Sequence, residues 1–123
     1  MTIPIIFCLF APFPLWLIET LIPYPHLVEE LFKFFLVKFT PSKNSWIFPL
    51  FLGITFSLSE TVLYLVNFFA LGNFSDLPLR LVTTTLLHVS LFYLQYYTRK
   101  TSASYLTLIL AILIHYFYNS LFA

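Results

Sequence analysis

Apolar residues run in long blocks along this chain, broken by short polar or proline-rich punctuation. Residues 2–22 (TIPIIFCLFAPFPLWLIETLI) are apolar throughout but carry Pro4, Pro12 and Pro14. Each interior proline removes a backbone hydrogen bond and crowds the preceding turn, so this block predicts a kinked helix. Pro23 and Pro25 then make a break. Residues 26–39 (HLVEELFKFFLVKF) predict a short helix with a charged first half. At 1.5 Å per residue it reaches roughly 21 Å, short of a hydrocarbon core of about 30 Å. After a turn at 41–45 (PSKNS), residues 46–70 predict the longest helix. A polar loop over 71–78 leads to helices over 79–97 and 103–122, separated by the turn at 98–102 (TRKTS). No internal repeat or low-complexity tract is visible, and the pattern predicts one domain.

Composition turns these helices into membrane helices. The 123 residues are 60% hydrophobic and only 9% charged, against roughly 25% charged in an ordinary soluble domain. So few charges cannot solvate a compact fold, which leaves lipid as the expected solvent. The expected fold class is an all-α, polytopic membrane helical bundle of four to five helices. A net charge of +1 gives no reason to expect a nucleic-acid partner. Cys8 is the one cysteine, so no disulfide can form within the chain. The start Met1-Thr2-Ile3-Pro4 lacks the basic region of a signal peptide, and the first apolar block is expected to remain in place. Lys38 and Lys43 flank one turn, and Arg99 and Lys100 occupy another on the same face. The positive-inside rule then puts loops 40–45 and 98–102 in the cytoplasm and the C-terminus outside a cell membrane crossed several times.

Against that background the ionisable and amide residues inside apolar blocks stand out. Each charged one costs at least about 2.5–3.5 kcal/mol at the centre of a membrane helix, and Glu29, Glu30, Lys33, Glu60, Arg80, His88, His115 and Asn119 all fall in such blocks. Counted from the expected cytoplasmic ends at 1.5 Å per residue, Glu29, Glu30, Glu60, His88 and His115 lie roughly 12–21 Å deep. Polar residues on four helices thus share one level, which predicts convergence on a site. Glu29 and Lys33 are four apart, as are His115 and Asn119, so each pair shares a helix face. Phe56 precedes Glu60 by one turn and predicts an aromatic wall beside that carboxylate. Thr84 and Thr85, one turn before His88, are candidates to orient its ring. His26 at a helix start reads as interfacial, Arg80 as near enough to the outer interface to snorkel, and Glu19 has no evident partner.

The motifs resemble those of the PrsW family of intramembrane proteases, within the wider superfamily of CAAX prenyl proteases and bacteriocin-processing proteins. They are Glu29-Glu30-Leu31-Phe32-Lys33 (EExxK), Phe56-Ser57-Leu58-Ser59-Glu60 followed by Thr61-Val62-Leu63-Tyr64, Arg80 with Thr83-Thr84-Thr85-Leu86-Leu87-His88, and His115-Tyr116-Phe117-Tyr118-Asn119 (HxxxN). Ser57 and Ser59 stand where glycines are usual, and Phe92 where a small polar residue is common.

The resemblance implies peptide hydrolysis within the membrane, with a membrane protein or peptide as substrate. Two mechanisms suit the residues. In one, Glu60, His88 and His115 hold a zinc ion and Glu29 or Glu30 is the base. In the other, Glu29 or Glu30 activates water without metal while His88, His115 and Asn119 steady the oxyanion, with Lys33, Arg80 and Phe56 in support. The rival classes are a proton- or ion-conducting membrane protein and a catalytically silent relative that binds membrane partners.

Overall fold

The computed structural model describes residues 2–40, 45–72 and 74–121 and is helical, with no strand among them. The chain order is α1 (Thr2–Phe10), α2 (Pro12–Glu19), α3 (Pro25–Phe39), α4 (Ile47–Leu71), α5 (Leu77–Thr98) and α6 (Ser104–Leu121). Three helices are long and apolar enough to cross a membrane: Ile47–Ala70, Leu77–Thr98 and Ser104–Leu121. The turn expected at 41–45 falls mostly outside the described residues, as do Lys43, Asn73 and residue 122.

Proline chemistry shapes the first third. The block expected as one kinked helix is two short ones, parted at Ala11, where Pro12 opens α2. Prolines 12 and 14 have no N–H to offer the turn before them, and the Ser59 hydroxyl of α4 donates to the carbonyl of Leu9 in that turn. Pro25 opens α3, and Pro78 stands in the first turn of α5, positions where the missing N–H has no helical partner to lose. Helix α4 ends at Gly72, whose φ of +69° is the left-handed cap that glycine adopts without strain.

Helices α4 and α5 pack most extensively, α6 lies against α3 and α5, and the α1–α2 unit packs on α4 with α2 also touching α3. At Gly53 the two long helices approach so closely that an added Cβ would stand 2.5 Å from the Val89 Cα. Ser57 on the same helix bonds to Thr85 across this seam, Oγ to Oγ1 at 2.8 Å. One end of the bundle is a conventional apolar core of Cys8, Leu15, Val37, Leu52, Phe56 and Phe92 with their neighbours. Next to it the interior becomes polar, with Glu30, Lys33, His88, Gln95 and His115 all buried. The outside is the reverse: Leu86 on α5, Ile109 on α6 and Val66 on α4 are among many large apolar side chains left exposed.

Candidate active site

Helices α3, α4, α5 and α6 each send titratable side chains into one buried cluster. Glu30 is its most fully bonded member. Its Oε1 takes the Lys33 Nζ at 2.5 Å and the His115 Nδ1 at 2.8 Å, and its Oε2 accepts from the Gln95 amide at 2.7 Å. Three donors on one carboxylate offset the cost of burying it. Lys33 is 0% exposed and pairs with Glu30, three residues away, rather than with Glu29 as the four-residue spacing predicts. Either spacing lies on one helix face; Glu30 wins because it points into the cluster with His115 and Gln95.

Lys33 continues to His88, its Nζ lying 2.7 Å from Nδ1, and the Nε2 of His88 bonds to the Oε2 of Glu60. The Tyr64 hydroxyl donates to the other Glu60 oxygen. An ammonium only donates, so Nδ1 accepts and the ring proton sits on Nε2, facing the Glu60 carboxylate. The threonines expected to orient this ring do something else: Thr84 Oγ1 meets the Tyr118 hydroxyl at 2.7 Å, and Thr85 Oγ1 bonds to Ser57. They tie helices together, and Lys33 and Glu60 orient the imidazole. Phe56 walls Lys33 and His88, its ring centroid 4.9 Å from Nζ and 4.9 Å from the His88 centroid.

Glu29 differs from its neighbour. It is buried, its Oε2 has no hydrogen-bond partner among the described residues, and the His115 Nε2 stands 3.9 Å from that oxygen. Glu29 also lines a cavity of about 520 Å³. Glu60, Tyr64, Arg80 and Asn119 line it too, and Leu15, Trp16 and Glu19 of α2 form another wall. Arg80 lies 4.0 Å above the Tyr64 ring and faces this cavity, where snorkelling was expected. Glu19 gains a setting here beside two other carboxyl groups. His26 packs edge-on to the Tyr116 ring at 5.1 Å, at the start of α3 and outside the cluster.

The expected metal set of Glu60, His88 and His115 is not the one whose donor atoms gather most closely. Glu29, Glu60 and His88 each offer an atom within 4.8 Å of the other two, and His115 is not in this group. A zinc-bound imidazole donates its second N–H to an acceptor. The second nitrogen of His88 faces the Lys33 ammonium instead, a donor, so this donor set does not suit zinc at His88.

Gln95 had no place in the sequence reading, and Tyr64 stood there only as the last residue of the second motif. Gln95 follows His88 by seven residues, two turns along one face of α5, and its setting in Leu-Phe-Tyr-Leu-Gln-Tyr-Tyr is the available signal. Tyr64 follows Glu60 by one turn. No family model, curated protein or solved structure matches the chain.

Proposed function

We propose that the chain is a multi-pass membrane endopeptidase that cleaves a membrane-embedded or membrane-proximal peptide bond, with Glu29 as the base that activates water. The observation that carries this reading is the contrast within the Glu29–Glu30 pair. Glu30 has its lone pairs committed to Lys33, His115 and Gln95, while Glu29 keeps an unbonded oxygen and borders the cavity. A carboxylate saturated with donors is a poor proton acceptor, and one with an open lone pair beside a cavity is a good one. The motif order Glu29-Glu30, Glu60, His88 and then His115 with Asn119, which resembles that of the PrsW family, supports the same reading.

In this mechanism a water between Glu29 Oε2 and His115 Nε2, 3.9 Å apart, gives its proton to Glu29 and its oxygen to the peptide carbonyl. Asn119 and Arg80, both on the cavity wall, donate to the oxyanion. As the C–N bond breaks, Glu29 returns the proton to the leaving amine, so the carboxylate is regenerated. His88 and Glu60 act as a fixed pair behind the site. No step runs through a metal, because Lys33 occupies the side of His88 that a zinc ligand would turn to an acceptor.

The apolar exterior and three long helices support residence in a membrane, and the basic residues at 38, 99 and 100 support loops 40–45 and 98–102 in the cytoplasm of a cell-membrane protein. The cavity then lies in the outer half, near the start of α5 and the end of α6. The test is cleavage of a single-span reporter by the protein in lipid discs. Glu29→Gln should reduce turnover by about 10²–10⁴-fold, the range lost with a general base, and a zinc chelator should leave the wild type unaffected. Full turnover in the Glu29 variant would sink this assignment.

One observation favours a second reading. The bonds from Gln95 through Glu30, Lys33, His88 and Glu60 to the part-buried Tyr64 form an unbroken chain, the kind of path that carries protons. Proton flux across sealed vesicles, abolished by Lys33→Met and unaccompanied by cleavage, would establish this reading in place of the peptidase.

A further inference from the structure

The cavity is lined by more acidic than basic side chains. Glu19, Glu29 and Glu60 line it against the single guanidinium of Arg80. Glu60 is matched by His88 and Tyr64, but Glu19 has no ion-pair or hydrogen-bond partner among the described residues. Glu29 is only 7% exposed and its Oε2 has no hydrogen-bond partner among the described residues, the His115 Nε2 standing 3.9 Å from it, so a buried acceptor faces the cavity. On α2, Trp16 and Glu19 are three residues apart and share a face.

We propose that this cavity is a recognition pocket for a basic side chain, lysine or arginine, of the peptide segment, with Glu19 and Trp16 on α2 as its selective wall. That the occupant is a substrate rests on the peptidase reading; the pocket's preference for a cationic side chain rests on its own lining. A volume of about 520 Å³ falls in the range of organic-ligand pockets, roughly 300–1,000 Å³. It far exceeds what one coordinated ion requires, and the Lys33–His88 contact disfavours an ion there. Trp16 adds an aromatic face, on which an ammonium or guanidinium gains further attraction. The same carboxyl groups repel an acidic side chain, so the wall discriminates by exclusion as well as by attraction.

The test uses fluorescent single-span peptides of leucine and alanine, about 22 residues long, with the wild-type protein in lipid discs. Lysine, arginine, methionine or glutamate is placed in turn at each position of one helical turn near the peptide's outer end. Anisotropy, corrected for partition into empty discs, reads binding, and mass spectrometry of the same samples reads cleavage. At one register the lysine and arginine peptides should bind about tenfold more tightly than the methionine peptide, equivalent to about 1.4 kcal/mol, and the glutamate peptide should bind worst. Glu19→Gln should cut that preference to under about threefold, and Trp16→Leu, at an exposed position, should lower it as well if the first variant folds poorly. Equal binding of the four peptides at every register would overturn the pocket, as would an undiminished preference in both variants. Charge-selective binding without cleavage would keep the pocket and overturn the peptidase; cleavage without selectivity would do the opposite.

Discussion

Adjacent carboxylates with opposite surroundings give the sharpest residue-scale expectations. Removing the charge of Glu30 leaves Lys33 buried without its counterion, a loss of about 3–5 kcal/mol for a broken buried pair. Glu30→Gln should therefore lower thermal stability in detergent markedly. Glu29→Gln replaces a carboxyl group that has an unbonded oxygen and should leave the melting temperature unchanged or higher while cleavage is lost. Equal destabilisation by the two variants would show that the pair is not divided between structure and chemistry. Lys33 has a separate signature. Its Nζ sits 2.7 Å from His88 Nδ1, so ring ¹⁵N spectra of the wild type should show His88 protonated at Nε2. In Lys33→Met the ammonium no longer keeps a proton off Nδ1 while Glu60 still holds the one on Nε2, so the doubly protonated ring should appear; an unchanged spectrum would mean that Lys33 does not control the ring.

At the scale of elements, the site depends on how closely α4 and α5 can pack, because Glu60 and His88 must meet across that seam. Gly53 sets the approach: an added Cβ would press 2.5 Å from backbone, which cannot swing aside as a side-chain tip can. Gly53→Ala should cost about 1–3 kcal/mol, as overpacking does, and should weaken the Glu60–His88 bond two turns away. Thermal unfolding in detergent checks the first effect, and the His88 ¹⁵N spectrum the second. Helix α3 is too short at 15 residues to resemble the long helices, yet it supplies Glu29, Glu30 and Lys33. Its position against α2, α5 and α6 surrounds its charged face with protein.

For the whole molecule the informative contrast is between an apolar outside and a polar inside. Ile109 is 55% exposed about a third of the way along α6, where a water-soluble protein would accept arginine freely. In a bilayer the same change costs roughly 2.5–3.5 kcal/mol of insertion. Ile109→Arg should therefore reduce the membrane-integrated fraction in a translocation assay. Its recovery as a dispersed protein in the aqueous fraction would count against membrane residence.

How much of this was legible beforehand follows from the range of each interaction. Helix lengths and the proline breaks are local consequences of hydrophobicity and of missing N–H donors. The block over 2–22 became two helices rather than one kinked helix, but the sequence by itself placed the later helices within a few residues. It also singled out Glu29, Glu30, Glu60, His88 and His115, because a charge in an apolar helix demands a partner whatever the fold. It did not determine which partner. The four-residue spacing matched Lys33 to Glu29, but Lys33 closes on Glu30, where His115 and Gln95 from other helices already converge. Gln95 escaped notice because an amide in an apolar run has no local partner to betray it. The orientation of the His88 ring and the cavity shared by Glu19 and Glu29 were likewise decided only by the tertiary structure. Hydrogen bonds act over about 3 Å, and side chains tens of residues apart in sequence come within that distance only when the helices pack.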